Sequence, residues 1–216
     1  MTSGAIWWRV GYHADPVRLK QVPLQEYSFG HRFDDARRRF RTLYCAERPQ
    51  TCLMEVLADY RPNRAAMLRH IERYGPEAAE DFASEPVTRS WLEQNVLVQV
   101  TLEDDSAELV DLTDPAVRYD LEKRHAQLLA VHGMDHLDLH EITSNRRPLT
   151  QAIAADLFDR GAGGMRFLSR LDGQPCFALI EGRAAVRQVG SPLTLTAPAP
   201  PALAEVAQFW GLTLET

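Results

Sequence analysis

The sequence predicts an α+β fold in a single domain, and three observations carry that reading. Short runs rich in aliphatic, β-branched and aromatic residues read as strands, with Asn95 to Leu102 (NVLVQVTL) the clearest. Segments with helix start and stop signals are interspersed among them. The two kinds of segment do not alternate in regular βαβ units, which argues against a doubly wound parallel sheet. A chain of 216 residues, 45% hydrophobic and 25% charged, is long enough to bury one good core and needs only one.

In chain order, Ile6-Trp7-Trp8-Arg9-Val10 opens as a strand. A polar stretch with Pro16 and Pro23 leads to Tyr27-Ser28-Phe29-Gly30-His31-Arg32-Phe33, where Gly30 is expected to let the backbone turn tightly beside Arg32. Thr42 to Ala46 is a short strand. Arg48-Pro49-Gln50-Thr51 places proline in the first turn of a helix from about Gln50 to Asp59. Cys52, Leu53, Val56 and Leu57 are expected to face the core, with Glu55 early in the helix.

Residues 61 to 90 predict a helix around Ala65 to Tyr74 and then a loop through Pro76 and Pro86. Leu109 to Leu112 follows NVLVQVTL as another strand, and Thr113-Asp114-Pro115 caps a helix expected from Ala116 to Leu129. Thr150 to Asp159 is helical and stops at Arg160-Gly161. Gly163 to Ser169 reads as a turn into a strand, and Cys176 to Ile180 as the next. The tail, residues 186 to 216, carries a proline-rich connector and a short amphipathic helix ending near Trp210. Its apolar residues Val206, Phe209 and Trp210 serve either the core or a homodimer or partner contact.

Composition excludes several classes. No uncharged apolar run reaches the roughly 18 residues of a membrane span, and MTSGAIWWRVGYH lacks a secretion signal's basic segment and apolar stretch. The expected location is cytoplasmic, without membrane contact. Cys45, Cys52 and Cys176 form no CxxC pair, so they are expected as buried small hydrophobes rather than disulfides or zinc ligands. A net charge of −6 argues against sequence-independent nucleic-acid binding. Locally, Arg32, Arg37, Arg38, Arg39, Arg41 and Arg48 crowd one stretch, and arginine suits bidentate contact with phosphate.

His132, His136 and His140 recur every four residues, a spacing that on one continuous helix serves a metal-dependent hydrolase, with Asp135 or Asp138 as a further ligand. Gly133 and the alternating Leu137 and Leu139 instead predict a helix end followed by a strand, which scatters the rings, so no metal is expected.

Three segments stand out together: Gly30-His31-Arg32-Phe33-Asp34; Leu43-Tyr44-Cys45-Ala46 leading to Met54-Glu55-Val56-Leu57; and Gly163-Gly164-Met165-Arg166-Phe167-Leu168-Ser169-Arg170. An arginine after a glycine, a Leu-Tyr-x-Ala strand, a glutamate eleven residues beyond the tyrosine and a glycine turn into a Ser-Arg strand resemble the RES domain in order and spacing. Trp8-Arg9-Val10 and Thr150 to Ala154 extend the resemblance over about residues 6 to 185.

The resemblance implies a mixed-sheet core like that of ADP-ribosyltransferases, flanked by helices, and an activity that consumes NAD. It implies the toxin of a bacterial toxin–antitoxin pair, with an Xre-like helix-turn-helix antitoxin as partner. The residues carried over are Arg32, Tyr44, Glu55 and Ser169, with Arg9 a weaker candidate for the same pocket. Arg39 and Arg41 compete with Arg32 for the arginine's role.

The chemistry follows from that substrate. Nicotinamide in NAD is already a cationic leaving group, so bond breaking needs no strong acid. The ribose carbon becomes oxocarbenium-like, and a carboxylate such as Glu55 stabilises it. Arg32 suits the pyrophosphate, Tyr44 the nicotinamide ring, and Ser169 either a ribose hydroxyl or Glu55 itself. Glycohydrolysis, phosphorolysis with inorganic phosphate as co-substrate, and ADP-ribosyl transfer to a protein differ only in the nucleophile, and all stay open. An inactive RES binding module is the alternative of another class. NAD enters here as substrate, and no cofactor is expected.

Overall fold

The computed structural model describes residues 4–19, 25–82, 85–104, 107–144 and 146–215. Pro23 of the polar stretch lies outside them, as do positions 83 and 84 of the expected loop. The described residues form one seven-stranded sheet flanked by helices, an α+β architecture. Its strands are β1 (Trp7–Tyr12), β2 (Thr42–Ala46), β3 (Asn95–Leu102), β4 (Leu109–Asp111), β5 (Gly164–Leu168), β6 (Pro175–Ile180) and β7 (Val186–Thr194). They lie in the order β4-β5-β6-β2-β1-β3-β7, with β4 and β5 parallel and every other neighbouring pair antiparallel.

Alternation along the strands sends side chains to two cores. Tyr44, Leu97, Met165, Phe167 and Ala178 face the larger one, which also takes Leu53, Leu57, Ile153, Leu157, Leu203 and Val206 from the helices α1 (Pro49–Leu57), α7 (Arg147–Asp159) and α8 (Pro201–Trp210). Trp7, Leu43, Cys45, Val98 and Phe177 pack on the opposite face, where the rings of Trp7 and Phe177 stack 4.0 Å apart. Each fully buried aliphatic side chain contributes about 1.5–3 kcal/mol, so the two layers supply most of the driving force. All three cysteines are free and buried.

Helix α1 begins where proline places it. Arg48 is extended at φ −119 and ψ 143, as a residue before proline prefers, and Pro49 opens the first turn. The buried face is Thr51, Cys52, Leu53 and Leu57, whereas Val56 is exposed, against expectation. The Thr51 hydroxyl donates to Asp172 Oδ2 at 2.6 Å, and this tertiary contact, invisible to periodicity, turns the helix toward Thr51.

Other differences have local causes. The tail adds β7, an edge strand whose Gly190 (φ 72) and Pro192 fall at a register shift against β3, where neither residue spoils a ladder. Of the three apolar tail residues weighed above, Val206 and Trp210 of α8 are core and Phe209 is exposed. The helix expected from Ala116 to Leu129 divides at His125 into α4 (Pro115–Arg124) and α5 (Ala126–Val131). Between Val87 and β3 lies α3 (Arg89–Gln94), capped by Thr88, whose hydroxyl accepts from Trp91 N–H. The helix predicted around Ala65 to Tyr74 is α2 (Arg64–Tyr74), and Leu139 begins α6 (Leu139–Thr143) rather than a strand. No helix of the described residues is long and apolar enough to cross a membrane.

Candidate active site

Arg32 sits in the loop between β1 and β2, and the backbone around it is held at several points. Asp34 is fully buried and accepts four hydrogen bonds: from His31 N–H (3.0 Å), Thr42 N–H (3.1 Å), the Thr42 hydroxyl (2.9 Å) and the Tyr27 hydroxyl (3.0 Å). Phe33 N–H donates to the Tyr44 hydroxyl at 3.0 Å. Gln151 on α7 donates from Nε2 to the carbonyls of Phe29 (3.0 Å) and His31 (3.1 Å). The tight turn expected at Gly30 is made one residue earlier: Phe29 has φ 47, in the left-handed region that non-glycine residues rarely enter.

The guanidinium that this loop presents lies over the Phe167 ring, with Cζ 5.5 Å from its centroid. Its Nη1 is buried with no hydrogen-bond partner. Burial draws the Arg32 pKa below its ordinary value, and the Glu55 carboxylate is the strongest charge opposing that shift. The competing arginines are committed elsewhere. Arg39 pairs with Asp35 at 2.7 Å and Asp159 at 2.6 Å, and Arg41 donates to Glu181 at 2.8 Å.

Glu55 reaches the site from α1 and is fixed from β5. The Ser169 hydroxyl, just past the end of that strand, donates to Glu55 Oε1 at 2.6 Å and accepts from Leu171 N–H at 3.1 Å. Thr51, one helical turn before Glu55, makes the parallel contact to Asp172, which also accepts from Gln174 N–H at 3.1 Å. Two side chains of one helix face therefore clasp one hairpin turn. Oε2 of Glu55 has no hydrogen-bond partner among the described residues.

Tyr44 is half-buried, and burial raises its phenol pKa well above the ordinary range, so the hydroxyl stays protonated. Its ring meets Phe167 edge-on at 6.3 Å and is tilted to His31 at 5.9 Å, while Phe33 and Phe167 lie 4.8 Å apart. Arg32, Tyr44, Glu55 and Ser169 thus gather on the larger-core face of the sheet, beside an aromatic wall.

Arg9 stands apart from them. The pairing of Trp8 with Ala46 sets Trp8 and Tyr44 on one face, which sends Arg9 to the other. There its guanidinium donates to three carbonyl oxygens, of Pro16 (2.9 Å), Tyr44 (3.1 Å) and Arg18 (3.2 Å). The expected shared pocket does not include it. The three histidines also do not converge: His132 ends α5, His136 faces Glu122 at 3.5 Å and His140 lies in α6. Among the described residues no three His, Cys, Asp or Glu side chains form a metal-holding group.

Sequence reasoning missed Asp34, Gln151 and Phe167. Asp34 sits in an arginine-rich stretch where the sequence drew attention to the cations, and only its burial reveals the role. Gln151 and Phe167 belong to segments singled out for their resemblance, yet nothing in their spacing assigned them a contact.

Fold and geometry define an α+β protein whose candidate centre joins an arginine from a loop, a glutamate from a helix and a serine from a strand end. The RES domain family model matches residues 6–198, and the chain belongs to that family. In fold the chain is similar to a chain of the crystal structure of the M. tuberculosis MbcT-MbcA toxin-antitoxin complex. The TM-score is 0.50 at 19% sequence identity, over 94% of this chain and 88% of that one. No curated protein matches it.

Proposed function

We propose that this protein is the toxin of a toxin–antitoxin pair and that it cleaves the bond between nicotinamide and ribose in NAD. The toxin reading rests on the RES family membership and on the likeness in fold to a chain of a toxin–antitoxin complex. The chemical reading rests on one observation above others: a carboxylate fixed by Ser169 within electrostatic reach of a half-buried arginine whose buried Nη1 has no hydrogen-bond partner.

Arg32 takes the pyrophosphate of NAD, and the aromatic wall of Tyr44 and Phe167 takes the nicotinamide end. The bond from the ribose carbon to the ring nitrogen breaks with its electron pair leaving on nicotinamide, which departs neutral. Glu55 Oε2 faces the positive charge that develops on the ribose and stabilises it. Water then adds to the carbon and loses a proton, or inorganic phosphate adds in its place. Ser169 keeps the carboxylate in one rotamer throughout. A helix-turn-helix antitoxin is the partner this reading calls for.

The test is to incubate the purified chain with NAD, with and without phosphate, and follow nicotinamide. Release that requires phosphate identifies phosphorolysis, and release without it hydrolysis. No release under either condition overturns the proposal in favour of a binding module.

A further inference from the structure

We infer that Gln151 is a positioning residue for Arg32: it holds the strained turn at Phe29 to His31 so that the guanidinium keeps its place over the Phe167 ring. The inference rests on the proposed reading of Arg32 as the pyrophosphate ligand. It concerns a side chain that touches neither substrate nor the reacting carbon.

The observation is a single amide nitrogen serving two backbone acceptors. Gln151 Nε2 donates to the carbonyls of Phe29 and His31, which straddle Gly30, at 3.0 and 3.1 Å. Phe29 is held at φ 47, a conformation costing about 1–3 kcal/mol for a non-glycine residue, which persists only where its surroundings impose it. The rest of the loop is fixed from β2, through Thr42 to Asp34 and through the Tyr44 hydroxyl to Phe33 N–H. Gln151 is the contact from the opposite side, on α7, a thirteen-residue helix whose Leu149, Ile153, Ala154 and Leu157 are buried. The glutamine therefore ties the loop to a rigid element. Its own side chain is only half-buried, so its loss leaves the helix packing intact.

A donor is required at this position. Gln151→Met keeps length and shape but presents no hydrogen to the two carbonyls, and Gln151→Glu aims a negative charge at them. Either change frees the turn and lets Arg32 leave its place over Phe167. Because Arg32 holds a part of NAD that does not react, the loss falls on KM and largely spares kcat.

The experiment compares wild type, Gln151→Met and Gln151→Glu in nicotinamide release and in amide hydrogen exchange. The expected result is a KM about tenfold higher in Gln151→Met, with kcat within about twofold, and a larger KM increase in Gln151→Glu. The amides of His31 and Phe33 should exchange faster while the interior of α7 keeps its protection. Wild-type KM in Gln151→Met, or unchanged exchange at His31 and Phe33, overturns the inference. If wild type itself releases no nicotinamide, the proposed function fails instead, and the exchange data alone decide whether Gln151 holds the turn.

Discussion

The Ser169 hydroxyl and the Glu55 carboxylate, 114 residues apart in sequence, are joined by a 2.6 Å hydrogen bond that fastens the end of β5 to α1. Ser169 is 2% exposed, so the bond is sheltered from water on the serine side. It sets the carboxylate's orientation before any ligand arrives.

Ser169→Ala should therefore affect rate and stability together. The carboxylate loses its fixed rotamer, and Leu171 N–H loses its acceptor. A drop of about tenfold in kcat and a loss of about 1–2 kcal/mol in unfolding free energy are expected. Steady-state kinetics and urea denaturation of the same sample measure both.

Arg32 gives the opposite pattern. Its buried Nη1 makes no hydrogen bond, so the folded state holds a charge that is only partly compensated. Arg32→Met should leave stability unchanged or raise it by about 1 kcal/mol, because an apolar chain suits the floor formed by Phe167. The same variant should lose NAD binding, read by calorimetric titration. Arg32→Lys should also bind weakly, since an ammonium lacks the planar fork.

Asp34 should behave as a structural keystone. Asp34→Ala removes the acceptor of four hydrogen bonds at a site with no exposure, leaving several donors buried and unpaired. A destabilisation of about 3 kcal/mol or more is expected by chemical denaturation.

The cysteines offer a pH test. Burial pushes the thiols of Cys45 and Cys52 up to about 12 and raises that of Cys176 as well. A thiol whose pKa is higher folded than unfolded favours the folded state below the unfolded value, and that contribution falls as pH rises toward the folded value. Stability should decline above about pH 9, where unfolded thiols ionise and folded ones do not. Alkylation near pH 8 should label none of the three in the native protein and all three after denaturation.

Much of this was legible in residues. Short runs rich in aliphatic and β-branched residues located β2 and β3 to the residue, and Pro49 located the start of α1 within one position, although the helix ends two residues earlier than expected. The strand β7 was not legible, because glycine and proline interrupt its pattern and its side chains are mostly exposed. At the site, Arg32, Tyr44, Glu55 and Ser169 come together, and Arg9 is displaced by a simple parity: one residue along a strand changes the face. Gln151 escaped because its importance lies in contacts to backbone carbonyls, which leave no mark on composition, and Asp34 because two of its four bonds are to backbone and the others join side chains whose meeting only the fold decides.

The most direct test of the central claim is nicotinamide release from NAD by Glu55→Gln beside wild type. The amide matches the carboxylate in shape and can still accept from Ser169, but it carries no charge to stabilise the ribose cation. Wild type is expected to turn over, and Glu55→Gln to fall by about a thousandfold in kcat with little change in KM or thermal stability. Full release by a folded Glu55→Gln protein would contradict the account.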